Sequence, residues 1–361
     1  MSTMPQAIEP HYSADGVVLY HGDCREVMQS FDANSVDALV TDPPYELAFM
    51  GRKWDSSGVA YDPAVWGEAL RVLKPGGHLL GFGGTRTWHR LAVAIEDAGF
   101  DIRDSIAWMY GSGFPKSLNL KNDWQGWGTA LKPAHEPIVV ARKPLDGTVA
   151  ENVLRHGTGA LNIDGSRIGT DGGGTHCTNR DELGKCKGHD NAGRSTSGAT
   201  VHGDNTTAGR WPANVILDES QAAELDRQSG DRAAGAFPKS GNVATGKHYE
   251  GGWGAVDNGE RSNLDSGGAS RFFYVPKANK KERPRDGDTA HPTVKPLALM
   301  RYLVNLVTPP GGIVLDPFAG SGTTLEAGLM EGFNVCGVEW TEEYLPLIMQ
   351  RLSKPIDRGL W

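Results

Sequence analysis

Apolar positions in the first 145 residues fall in short bursts separated by polar turns. Residues 17–20 form one apolar run, followed by Gly22-Asp23. Residues 36–40 form another, closed by Thr41-Asp42-Pro43-Pro44-Tyr45. Both predict short strands. Between residues 63 and 73 the period changes: Val65, Trp66, Ala69, Leu70 and Leu73 fall on one helical face, and the run stops at Pro75-Gly76-Gly77. Residues 78–82 predict the next strand and 88–98 the next helix, while 102–109 and 137–141 predict strands flanking the same sheet.

From about residue 145 to 290 the pattern fades. Gly, Ser, Thr, Asn and Asp dominate there, with apolar runs at 211–217 and 271–275, the latter predicting a buried strand rather than a base-stacking platform. The alternation then resumes: helix 297–307, strand 313–315, a glycine turn, helix 323–332, strand 335–338 and helix 342–352. Strand–helix alternation at both ends predicts an α/β fold, with a doubly wound, mostly parallel sheet covered on both faces. The two ends of the chain then share one sheet, and the middle is a loop-rich inserted module. The expected division is 1–145, 146–285 and 286–361.

Composition adjusts this picture in three places. The 361 residues suit one large domain or about two. No apolar run approaches the length of about 20 residues that spans a bilayer, and residues 1–10 lack a secretory pattern. A cytoplasmic protein with four reduced cysteines is therefore expected. The net charge of −8 taken alone disfavours a nucleic-acid partner, and residues 146–290 hold 18 Lys plus Arg against 20 Asp plus Glu. Yet Lys277, Lys280, Lys281, Arg283 and Arg285 cluster around one acid, Glu282, as either a solvated loop or a phosphate-contacting one. His176, Cys177, Cys186 and His189 match no common zinc spacing, so no metal is expected.

Candidate chemistry concentrates in two motifs. Asp42-Pro43-Pro44-Tyr45 ends a predicted strand, and its prolines forbid helix and stiffen the presentation of an acid and a ring. Asp316-Pro317-Phe318-Ala319-Gly320-Ser321-Gly322-Thr323 follows a strand and opens a helix, the context in which glycines let a ligand approach backbone N–H groups. Glu339 closes the next strand, where an acid typically holds ribose hydroxyls. No lysine follows the glycines, which argues against a phosphate-gripping loop.

Together these motifs resemble the S-adenosylmethionine-dependent amino DNA methyltransferases, the N-4/N-6 DNA methylases, whose signatures are an acid-Pro-Pro-aromatic tetrapeptide and an FxGxG turn. The order, tetrapeptide before turn, is similar to the β class of that family. His291-Pro292-Thr293-Val294-Lys295-Pro296 resembles a further family element beside the methionine end of the cofactor, and Gly22-Asp23 a position facing its adenine. The resemblance covers roughly residues 15–145 and 286–361. It implies a Rossmann-like sheet of seven strands, S-adenosylmethionine as cofactor without a metal, double-stranded DNA as partner, and residues 146–285 as the target-recognition segment.

By that resemblance Asp42 and the Pro43 carbonyl accept the N–H bonds of an exocyclic amine, while Pro44 stiffens the motif and Tyr45 stacks on the extruded base. Glu339 binds ribose, and Phe318, Ala319, Gly320, Ser321 and Gly322 pack around the methionine portion, with Asp316 and Thr323 flanking them. Asp23 contacts adenine or merely caps the following helix. Thr293 and Lys295 hold the methionine carboxylate, Lys295 having a solvated position as its bland alternative. Phe49, Trp54 and Asp55 form a loop over the base, or the two aromatics pack in the core. An aspartate at the head of the tetrapeptide favours adenine N6 over cytosine N4 by family tendency. Methylation of RNA or protein, and an inactive DNA-binding homologue, are the rival readings.

Overall fold

The computed structural model describes residues 8–14, 16–47, 53–115, 117–169, 209–233, 266–276, 285–286, 289–291 and 293–354. Strands β1 (Tyr12–Ala14) and β2 (Val17–His21) form a hairpin, and α1 (Cys24–Gln29) leads to β3 (Val36–Thr41). Helix α2 (Pro63–Val72) runs directly into β4 (Leu73–Phe82), and α3 (Trp88–Asp97) precedes β5 (Asp101–Met109) and β6 (His135–Arg142). The middle of the chain supplies α4 (Val149–His156), β7 (Val215–Leu217) and α5 (Glu219–Ser229). Two short ribbons pair β8 (Arg232–Ala233) with β9 (Ser266–Gly267) and β10 (Arg285–Asp286) with β11 (Thr289–Ala290). The remaining elements are α6 (Leu297–Val307), β12 (Ile313–Asp316), α7 (Thr323–Met330), β13 (Asn334–Glu339) and α8 (Leu345–Leu352).

One sheet runs in the order β1-β2-β13-β12-β3-β4-β6-β5-β7. From β2 to β4 every pairing is parallel, while β6 is antiparallel to both β4 and β5. The two chain ends therefore do share a sheet, with β12 and β13 inserted between β2 and β3. The sheet has nine strands where seven were expected. The outermost two, β1 and β7, are three residues long, too short for alternation to announce them.

Side chains of the central strands divide between two cores, as a sheet covered on both faces requires. Ala38, Val40, Leu80 and Val335 pack with α6 and α7 on one face. Val36, Leu39, Leu79 and Cys336 pack with α1, α2 and α3 on the other. No helix among the described residues is long and apolar enough to cross a membrane.

The strand expected near 271–275 is not there. Ala269–Phe272 is a single helical turn, and Tyr274 bridges Ile216 at the edge of β7. Local side-chain hydrogen bonds win over ladder pairing at this point. Asp226 accepts from Ser270 N at 2.8 Å and Ser270 Oγ at 2.7 Å, and Arg271 Nη1 donates to Gly268 O at 2.7 Å.

Candidate active site

The carboxyl ends of β2, β3, β12 and β13 open onto one cavity of about 430 Å³. Ligands of open α/β sheets bind at this edge. The Asp-Pro-Pro-Tyr segment leaves β3 and the glycine turn leaves β12, and these strands are neighbours. Thr41 Oγ1 donates to Asp316 Oδ1 at 2.6 Å, tying together strand ends 275 residues apart in sequence. Asp42, Pro43, Pro44, Tyr45, Asp316, Phe318, Ala319, Gly320, Ser321, Thr323 and Glu339 all line the cavity, as do Asp23, Thr293 and Lys295.

Lys295, expected either at the cofactor carboxylate or in solvent, is buried and already engaged. Its Nζ lies 2.6 Å from Asp42 Oδ2, 3.3 Å from Glu136 Oε2 and 3.1 Å from the Tyr45 hydroxyl. Burial alone would lower its pKa, but the charges of Asp42 and Glu136 outweigh that and hold the ammonium above its usual range. Asp42 Oδ1, the other oxygen of that carboxylate, is buried and finds no hydrogen-bond partner among the described residues. A buried acceptor left in this way is costly unless something donates to it.

Tyr45 is fixed on several sides. Its hydroxyl donates to Glu136 Oε2 at 2.9 Å, and its carbonyl accepts from Thr87 Oγ1 at 3.0 Å and Tyr61 Oη at 3.1 Å. Burial, reinforced by the charges of Asp42 and Glu136, pushes the phenol pKa well up, so it remains a neutral donor. Gly84 lets the ring approach, since a β-carbon there would sit 3.2 Å from Tyr45 Cδ2. Glu136 was missed in the sequence because a lone acid at the start of a strand carries no spacing signal.

At the glycine turn, Glu339 accepts from Gly320 N and Thr341 N, both at 2.7 Å. Burial raises its pKa to about 7 despite those bonds. Asp316, still more enclosed, is raised to about 6 by burial, against hydrogen bonds from Thr324, Thr41 and Phe318 N. His291, pressed against the turn, is lowered to about 4 by burial and stays neutral, its Nδ1 2.9 Å from Thr293 O. Asp23 caps α1, as one reading of it expected, by accepting from Arg25 N at 2.9 Å, and it also lines the cavity. Trp340, overlooked because no motif marks it, is 60% exposed and also lines the cavity.

Gly322 stands apart from the other turn residues. It does not line the cavity but turns the chain at φ +77°, with a β-carbon position 3.0 Å from Ile348 Cγ2 and 3.3 Å from Ile348 Cα. Gly322→Ala is expected to destabilise the protein by roughly 1–3 kcal/mol through left-handed strain and overlap with α8. Urea unfolding would measure it; an unchanged midpoint would show that α8 yields instead.

Asp55, placed beyond the tetrapeptide, is buried and accepts from Glu46 N at 3.0 Å and Leu47 N at 3.2 Å, so it braces the loop from within. Phe49, Lys277, Lys280, Lys281 and Arg283 lie outside the described residues, as do His176, Cys177, Cys186 and His189; Arg285 and Trp54 are described in backbone only. Among the described residues no group of three or more His, Cys, Asp or Glu side chains could hold a metal ion.

A mostly parallel sheet with a ligand cavity at its carboxyl edge, lined by an acid-Pro-Pro-aromatic segment and a glycine turn, defines a Rossmann-like class of enzyme fold. Within that class the chain belongs to the N6/N4 DNA methylase family, whose pattern matches residues 36–350. It is 25% identical over 200 residues to the type II methyltransferase M.HindIII of Haemophilus influenzae, a stretch covering 40% of this chain and 64% of that protein. Over 67 residues it is 45% identical to YubD of Escherichia coli, covering 19% of this chain and 30% of that one. The chain thus spans less than two thirds of the length of either relative. In fold it is similar to the cytosine-N4-specific PvuII DNA methyltransferase, with a TM-score of 0.53 and 14% identity, covering 96% of this chain and 89% of that one.

Proposed function

We propose that the chain is a site-specific DNA methyltransferase that moves a methyl group from S-adenosylmethionine to adenine N6 of a base extruded from double-stranded DNA. The observation that carries this reading is the Asp42 carboxylate: one oxygen is clamped by Lys295 and the other is a buried, unpartnered acceptor in the cavity shared with Gly320 and Glu339. An aromatic amine is a poor nucleophile because its lone pair is delocalised into the ring. Asp42 Oδ1 and the Pro43 carbonyl accept its two N–H bonds, favouring a pyramidal nitrogen with the lone pair directed at the donor. Positioning supplies much of the rate. The Tyr45 ring, locked by Glu136 and Gly84, stacks on the base and offsets part of the cost of extrusion.

The cavity fits the cofactor. Glu339 offers carboxylate oxygens to ribose hydroxyls, Trp340 offers an indole face to the adenine, and Gly320 brings backbone close to the methionine portion. When bound, the cofactor supplies an electrophilic methyl group on a sulfonium. Residues 1–145 and 286–361 form the methyl-transfer part in this reading. The 146–285 segment reads the target, and the cations of 277–285 contact phosphate.

Incubating the protein with labelled cofactor and unmethylated DNA, then identifying the modified nucleoside by mass, tests the assignment. N6-methyladenine is expected. N4-methylcytosine would reassign the base, and label transferred to RNA or protein would overturn the DNA reading.

The raised pKa of Glu339 makes a separate prediction. The unfolded chain releases this proton near the ordinary carboxylate value and the free folded protein near 7, so folding stability from this group falls as pH rises between them. Ribose hydroxyls donate best to the ionised form. Cofactor affinity should therefore climb as pH rises towards about 7 and level off above it, with a proton released on binding at lower pH. Asp316 titrates nearby, so the control is Glu339→Gln, which retains Asp316 and should flatten the climb. Calorimetry in buffers of different ionisation enthalpy would show it; an equally steep profile in the variant would move the effect to Asp316.

A further inference from the structure

Between the end of β5 and the start of β6 the chain leaves the sheet over residues 110–134. Tyr110 N donates to Ala134 O at 3.0 Å as the last rung before it departs. The excursion is a built hairpin. Asn119 bridges Gly128, Leu120 N donates to Trp127 O at 2.9 Å, and Thr129 N donates to Ser117 Oγ at 2.9 Å. Asn122 at φ +56° and Gly126 at φ +92° close the tip. Its tryptophans meet edge to face, Trp124 and Trp127 with ring centroids 5.4 Å apart.

This arm holds its apolar groups away from the core. Trp124 is 57% exposed, Trp127 63%, Phe114 79% and Leu131 93%. Apolar side chains grouped on an ordered projection mark a surface that meets a partner. Two observations choose the partner. The arm springs from the cavity edge of the sheet, since Glu136, two residues beyond Ala134, lines the cavity and holds Tyr45. Its charge is also locally reversed: Lys121 and Lys132 stand against Asp123, on a chain of net charge −8. A second copy of the chain fits less well, because an isologous contact sets a patch against itself and like charge against like. Rings interleaved with lysines suit a polyanion with stacked faces.

We propose that this arm, residues 111–115 and 117–134, is a DNA-contacting element, with the Trp124–Trp127 pair packing against the base stack opened when the target nucleotide leaves it. The inference rests on the methyltransferase reading above. The lysines hold neighbouring phosphates, and the ring pair lowers the cost of the gap in the duplex. The arm thereby acts before chemistry, on extrusion and DNA affinity.

The test uses the full chain carrying Trp124→Ala and Trp127→Ala together, on a duplex containing the site that the wild type modifies. A second duplex has an abasic position opposite the target, which removes most of the cost of extrusion. The expected result is a loss of at least tenfold in kcat/KM on the intact duplex, largely recovered on the abasic one. Cofactor affinity by calorimetry should be unchanged, and Trp124→Phe with Trp127→Phe should restore most of the rate. An unchanged rate on the intact duplex, or an equal loss on both duplexes, would overturn the proposal. A dimer that dissociates in the variant, seen by sedimentation, would also overturn it and make the arm a subunit contact. Failure of the wild type to methylate any DNA would remove the methyltransferase reading itself, whereas an active wild type with an unaffected variant would remove the arm alone.

Discussion

Exchange of Asp42 for asparagine is expected to cut turnover by about a hundred- to a thousandfold while cofactor affinity stays within about threefold. Asparagine keeps the shape but loses the charge that stabilises the amine as it becomes positive during transfer. It also places an N–H₂ group where an acceptor is needed, or turns that group against the Lys295 ammonium, 2.6 Å from Asp42 Oδ2. Either orientation spoils one contact. On the proposed mechanism the loss should appear in the single-turnover rate, because Asp42 would contact the reacting amine and Glu339, the proposed ribose ligand, is untouched. A variant with near-normal single-turnover rate would sink the assignment of Asp42 and, with it, the proposed mechanism.

Lys295→Met is expected to lower stability by about 3–5 kcal/mol, the usual cost of removing one partner of a buried ion pair. Methionine matches the length of the stem but leaves Asp42 and Glu136 without their shared cation. The two carboxylates then repel each other and Asp42 is no longer clamped, so the single-turnover rate should fall as well. In the wild type Lys295 remains charged as pH rises through the ordinary lysine value, and its contribution fades only above that range. Denaturant unfolding and single-turnover rates on the same preparation would check both effects. Loss of stability without loss of rate would reduce Lys295 to a structural strut. The double replacement with Glu136→Gln should recover part of the stability, which separates electrostatic strain from a packing defect.

Much of the sheet could be read from the chain because its central strands are buried on both faces and bounded by strong punctuation. Residues 313–315 are a continuous apolar run and 36–40 are apolar but for Asp37, and an Asp-Pro follows each. Their adjacency was legible only through the strand–helix alternation at both ends. The antiparallel direction of β6 was not legible, since direction depends on pairing rather than period. Helix α4 carries a complete capping box, Thr148 with Glu151, and a left-handed Gly157 at its end, but its exposed Leu154 and buried Asn152 invert the expected apolar stripe. In the site, the motif-bearing residues were visible because backbone geometry restricts their identities. Glu136 and the pairing of Lys295 with Asp42 and Glu136 were hidden, because ion pairs between residues so far apart in sequence leave no periodic trace.

The position of β12 and β13 between β2 and β3 has a consequence for biosynthesis. Strands β2 and β3 do not pair with each other, and the centre of the sheet stays open until β12 and β13 have been made. Until then β2 and β3 carry unpaired edges, the kind of surface that recruits other chains. A nascent or truncated polypeptide ending before residue 313 should therefore depend on chaperones and form inclusion bodies.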